Sequence, residues 1–267
     1  MIRLTLMRAA ACALMLQWSA LAFALDPLSY ARYDQVKTRA LHLDLKADFE
    51  RKTLSGYAEL SLEWIDKDAR SLVLDTRELT IHKVQAKNAR GAWTTLAYSL
   101  GKFDAEKGQA LHVALEDQPA KVRIYYHTAP SASALQWLTP AQTMSGKRAF
   151  MFSQSETINA RSWVPVQDTP AVRFTYSARI EAPRGLRVVM SADNDPKATG
   201  RGGWRFAMPQ PIPAYLLAIA IGELEARTLG PRTGVYAEPL RIKDAAYEFA
   251  DTEKMVHAAE SLYGPYR

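Results

Sequence analysis

The sequence holds a single cysteine, Cys12, among 267 residues. That excludes an internal disulfide, and beyond residue 24 it also excludes a thiol nucleophile or a Cys-ligated metal. Histidine is scarce as well. His42, His82, His112, His127 and His257 include no H-E-x-x-H pair, the spacing that puts two imidazoles on one helical face around zinc. The first four sit in strand-like segments and read as half-exposed strand residues. His257 shares a helical face with Glu253 and Glu260, which reads as a solvated charged face or as a weak metal cluster. No G-x-S-x-G elbow occurs, and no glycine-rich loop opens a helix to cradle phosphate, since Gly200-Arg201-Gly202-Gly203 lies between strands. Asp193-Asn194-Asp195-Pro196 lacks the glycine and distant glutamate of a calcium loop and reads as a turn. Lys and Arg exceed Asp and Glu by 34 − 28 = +6, but no basic run concentrates that charge, so a nucleic-acid partner is excluded. No set of residues is a self-sufficient catalytic or metal centre.

What is present begins with a signal peptide over residues 1–24. Arg3 and Arg8 precede an apolar stretch from Ala9 through Phe23, and Ala22-Phe23-Ala24 has the small-x-small cleavage pattern. Cleavage after Ala24 makes Leu25 the first mature residue. The apolar stretch is short for a bilayer span, so no membrane anchor is expected after cleavage. Export without disulfides fits a periplasmic or secreted protein with a core large enough to stand alone.

From Leu41 to Met208 the pattern is strand after strand. Leu41, Leu43 and Leu45 alternate with polar residues, as do Ala58, Leu60, Leu62 and Trp64, and again Val172, Phe174, Tyr176, Ala178 and Ile180. Turn residues at Asp66-Lys67-Asp68, Asn88 to Gly91 and Pro183-Arg184-Gly185 separate the runs. The continuous apolar run Tyr215 to Ile221 predicts a strand buried on both faces. Many short strands predict a mainly β, antiparallel, sandwich-like domain. Near the end the period lengthens. A helical turn over Lys243 to Phe249 is followed by a helix capped by Asp251, with Met255, Val256, Ala259 and Leu262 on one face and Gly264 past its end.

One stretch stands apart. After the strand-like Ala149 to Phe152 comes Ser153-Gln154-Ser155-Glu156, then Ala160-Arg161, then Pro165-Val166-Gln167-Asp168-Thr169-Pro170. Glu156 is an isolated acid in a polar loop. By composition it is a solvated turn residue, or a carboxylate presented on rigid strands to receive a cationic group.

The stretch resembles a signature of zinc aminopeptidases of the aminopeptidase N and leukotriene hydrolase kind, (Ser/Thr)-Gln-x-(Glu/Gln)-x-x-x-(Ala/Cys)-Arg followed by Pro-x-x-Asp-x-Pro. Leu135-Gln136-Trp137-Leu138-Thr139-Pro140, Gly222-Glu223-Leu224-Glu225-Ala226-Arg227, Gly230-Pro231-Arg232-Thr233, Ala246-Tyr247-Glu248-Phe249 and Gly264-Pro265-Tyr266 resemble the leukotriene hydrolase branch, in matching order. The resemblance implies a curved, saddle-like β domain over residues 25–240, and over 241–267 the start of a zinc metallopeptidase domain that is missing from this chain. It implies that Glu156, assisted by Gln154, holds the free α-amine of a peptide substrate. It implies zinc in the complete family enzyme and none in this chain. The glycine-rich G-x-M-E-N motif and H-E-x-x-H of the family do not occur here. The expected function is therefore substrate anchoring for an exported aminopeptidase, with no peptidase activity in the chain alone. The alternative is a free-standing, non-catalytic β-sandwich that binds peptides with a free N-terminus. A third possibility is a truncated product with an exposed apolar face around Tyr263 to Tyr266, where the catalytic domain would pack.

Overall fold

A computed structural model describes residues 25–266; the signal-peptide reading of residues 1–24 lies outside the described residues. In chain order the strands are β1 (Val36–Asp48), β2 (Thr53–Trp64), β3 (Ser71–Thr76), β4 (Thr80–Lys87), β5 (Trp93–Leu96), β6 (Tyr98–Leu100), β7 (Gln109–Ala114) and β8 (Lys121–His127). They continue with β9 (Leu135–Leu138), β10 (Phe150–Ser153), β11 (Phe174–Glu181), β12 (Arg187–Met190), β13 (Trp204–Ile212), β14 (Ile219–Gly222), β15 (Glu225–Thr228) and β16 (Gly234–Ala237). Two helices follow, α1 (Ile242–Glu248) and α2 (Thr252–Tyr263).

The largest sheet has seven strands in the order β13-β11-β1-β2-β8-β4-β5. Its pairings are antiparallel except β1 with β11, whose register puts Leu43 opposite Ala178. Period-two patterning explains why one face is dry: Leu41, Leu43, Leu45, Leu60, Ile124, Phe174 and Ile180 all point into the core. A three-stranded sheet, β3-β7-β6, and a four-stranded sheet, β12-β14-β10-β9, close over that face. Leu72, Leu74, Leu111, Met151, Val188 and Ile221 join the same hydrophobic cluster. The result is a mainly β, sandwich-like domain. Gly56 of β2 pairs with Leu45 of β1; at its φ of +150° a Cβ would lie 2.0 Å from the Asp44 carbonyl oxygen, so only glycine fits.

The run Tyr215 to Ile221 is not one strand. Ala214–Leu216 form a 3-10 turn after Pro213, and pairing resumes only at Ile219. Prolines at 211 and 213 remove ladder donors, and the freed Leu217 carbonyl and Ile219 N–H bond to serines of the signature loop instead.

Asp251 occupies the N-cap position of α2, but its side chain makes no capping bond and pairs with Lys254. None of the α2 side chains is buried, and Met255, Leu262 and Tyr263 are exposed together with Tyr266. Arg232 ties this helix down, reaching Glu253 at 3.1 Å and Glu260 at 2.8 Å. The pairing with Arg232 holds the Glu260 carboxyl down at about 2. With both acids engaged by Arg232, the Glu253–His257–Glu260 face is an ion-pair face.

Candidate functional site

The signature loop links β10 to β11 and divides into an exposed half and a buried half. The exposed half carries Gln154, Glu156 and Thr157, and burial becomes continuous from Ala160 to Thr169. The division follows from what each side chain can reach.

Beneath the exposed half, small polar residues rivet the backbone. Ser153 Oγ accepts from Ile219 N at 2.9 Å. Ser155 Oγ donates to the Leu217 carbonyl at 2.7 Å and accepts from the buried Trp163 indole at 3.0 Å. Gln154 N donates to the Ala134 carbonyl, and Ala134 N donates to Ser162 Oγ. Asn159 Nδ2 donates to the Glu156 carbonyl at 3.0 Å, while Asn159 Oδ1 accepts from Ser133. Glu156 therefore projects from a loop fixed at both sides. Its backbone N–H donates to Gln154 Oε1 at 3.1 Å, which folds the Gln154 side chain back onto the Glu156 backbone. Among the described residues nothing donates to the Glu156 carboxylate and nothing accepts from the Gln154 amide nitrogen.

The buried half centres on Arg161, whose side chain has no exposure. Its Nε donates to Asp168 Oδ2 at 3.0 Å and its Nη2 to the Asp168 carbonyl. Its Nη1 donates to the carbonyls of Leu28 and Lys107. Asp75, at the end of β3, accepts from Ser29 Oγ, Tyr30 N and Asp168 N, with Arg161 Nη1 3.9 Å away. Gln167 pins the start of β1 by accepting from Thr38 N and donating to the Val36 carbonyl. A guanidinium fork satisfied by four acceptors is the arrangement a buried charge requires.

Burial pushes the Asp168 carboxyl up to about 6 against the pull of Arg161, and burial also raises Asp75. Two carboxylates share one guanidinium, so the folded cluster holds a proton more readily than unfolded aspartates, which titrate near about 4. The stability this group contributes is thus fully present below that value and is lost as pH rises through about 6. Asp168→Asn fixes the neutral form. Urea unfolding of the variant is expected to show a flatter pH dependence than wild type between about pH 4 and 7.

Glu156 and Gln154, singled out in the sequence, lie together on the surface. Arg161 and Asp168, quoted there only as parts of a motif, are the internal frame. Ser155 was likewise quoted only within the motif, and Asp75 and Trp163 were given no role from the sequence. The one available signal was an acid, Asp75, closing the apolar run Leu72-Val73-Leu74. Among the described residues no three His, Cys, Asp or Glu side chains converge on a metal position. The donors present do not fit a peptidase zinc centre.

Residues 27–216 match the family described as Peptidase M1 N-terminal domain. The chain belongs to that family. Leukotriene A-4 hydrolase of Xenopus laevis is 38% identical over 251 residues, covering 90% of this chain and 40% of the relative. Leucine aminopeptidase 2 of Yarrowia lipolytica is 37% identical over 245 residues, covering 90% and 37%. The structure of native leukotriene A4 hydrolase from Saccharomyces cerevisiae superposes with a TM-score of 0.83 at 31% identity, over 96% of this chain and 41% of that one. A mutant M1 zinc metallopeptidase from Deinococcus radiodurans, bound to a Tyr-Ser-Ala substrate, shares the fold with a TM-score of 0.62 at 18% identity, over 87% of this chain and 54% of that one. This M1 N-terminal domain chain spans about 40% of the length of the curated relatives it matches.

Proposed function

We propose that this chain is the substrate-anchoring front domain of an exported zinc aminopeptidase, in which Glu156, with Gln154, receives the α-ammonium of a peptide. The observation that carries this reading is the Glu156 carboxylate. Among the described residues of the motif from Ser153 to Pro170 it is the charged group that is exposed and unengaged, and it stands on a backbone pinned by Ser155, Asn159 and Trp163. An ammonium seated there would meet a full negative charge and the remaining lone pair of Gln154 Oε1, a charge-assisted pairing that strengthens as water is excluded.

Hydrolysis belongs, in this proposal, to a zinc domain contiguous with residues 241–267. The 267-residue chain, supplied with Zn²⁺ and peptides bearing free N-termini, is expected to release no amino acid. Zinc-dependent release by the pure chain would refute that division of labour. Export is checked separately by N-terminal sequencing of the protein recovered from outside the cytoplasm, with Leu25 as the expected first residue. Retention of Met1 would rule out cleavage. The anchoring role is tested by Glu156→Gln in the complete gene product, which is expected to raise KM for free-amine substrates. An unchanged KM would remove Glu156 from the site.

A further inference from the structure

Away from the signature loop, the outward face of the seven-stranded sheet brings two of the five histidines together. His127 ends β8, between β2 and β4, with Ser55 and Thr80 as its cross-strand partners. On β4 the register shifts by one residue, since Ile81 pairs with Tyr126 but Lys83 with Tyr125. The extra residue is His82. Such a bulge re-aims a side chain that regular alternation would place elsewhere. Here it lays the His82 ring beside His127, with centroids 4.9 Å apart and His82 Nε2 2.8 Å from His127 Nδ1.

The geometry points to a site for a first-row divalent transition metal, chelated by His82 Nε2 and His127 Nδ1, with water completing the shell. Metal–imidazole bonds of about 2.0–2.1 Å set two neighbouring ligand nitrogens about 2.9–3.4 Å apart. The observed 2.8 Å lies just short of that range, so a small rotation of one exposed ring admits the ion. Neither ring makes another hydrogen bond among the described residues. The ring that now donates can shift its proton to its outer nitrogen, and two neutral imidazoles bind the ion without net proton loss.

Both rings ride on paired strands of the largest sheet, so the chelate is preorganised. Lys83, the adjacent cation, is drawn over the Tyr125 ring with Nζ 4.2 Å from its centroid. With nitrogen donors and no carboxylate in the pair, the site selects Cu²⁺, Ni²⁺ or Zn²⁺ over Mg²⁺ or Ca²⁺, with Cu²⁺ tightest. This site is independent of the peptide-anchoring reading.

The test is calorimetric titration of the untagged chain with Zn²⁺ and with Cu²⁺, for wild type, His82→Ala, His127→Ala and the control His257→Ala. Losing an outer-shell partner of a metal ligand commonly costs about 10–100-fold in affinity, so losing one of two direct ligands should cost at least tenfold. One bound ion, weakened at least that much by either strand substitution and unchanged by the control, is the expected result. Equal affinity in wild type and both strand variants would overturn the proposal. Imidazole nitrogen NMR on wild type supplies a readout that needs no variant. Zn²⁺ should shift His82 Nε2 and His127 Nδ1 and leave His42 and His112 unmoved, and the absence of those two shifts would equally overturn it.

Discussion

Arg161→Met is expected to lower the unfolding free energy of this domain by about 3–5 kcal/mol, the cost of stripping the partner from a buried charge. Methionine fills much of the volume but donates nothing. The carbonyls of Leu28 and Lys107 lose their donor, and Asp168 loses its charged one, keeping only the Arg161 backbone N–H. Asp75 also loses its nearest positive charge. Lysine should not rescue, because a point charge with three donors cannot reproduce a fork engaged along Nε, Nη1 and Nη2. Adding Asp168→Asn to Arg161→Met should return part of the loss, since the acid most directly orphaned is then gone. Urea unfolding followed by tryptophan fluorescence measures all three. A loss below about 1 kcal/mol for Arg161→Met would mean that the cluster carries no net charge pairing of consequence.

Glu156→Gln should behave in the opposite way. The side chain is exposed and nothing among the described residues donates to its carboxylate, so stability should change by less than about 0.5 kcal/mol. Binding of a free α-amine should nonetheless weaken by about 10- to 100-fold, the equivalent of the roughly 1.5–3 kcal/mol that a hydrogen bond to a charged group supplies. One signature thus divides between a buried arginine that holds the loop's shape and an exposed glutamate to which the proposed function gives the amine.

How legible this was in the sequence depended on the range of the contacts. Alternation along β1, β2 and β11 is a local signal, and those strands lie where period two put them. The exposed acid was visible because Glu156 has only polar and small neighbours in the chain. The frame beneath it was not visible, because Arg161 joins Asp168 of its own loop to Leu28 and Lys107 from two distant segments. Nothing in the spacing of charges along a chain reports a fork shared across such separations. The run from Tyr215 to Ile221 misled for a related reason. Hydrophobicity alone does not separate a strand from a turn packed under a loop, and Ser153 and Ser155, which claim its backbone groups, lie more than sixty residues away. Likewise, His82 and His127 each read as an ordinary strand residue, and only the register shift in β4 makes them a pair.

The most direct test of the central claim asks whether Glu156 recognises the amine itself. Inhibition constants would be measured, in the zinc aminopeptidase that the proposed function places around this domain, for a peptide with a free α-amine and for its des-amino analogue, each against wild type and Glu156→Gln. The account predicts that wild type prefers the amine by about 10- to 100-fold and that the variant loses that preference. The same preference in both proteins would contradict it, and would return Glu156 to a solvated acid on a well-built loop.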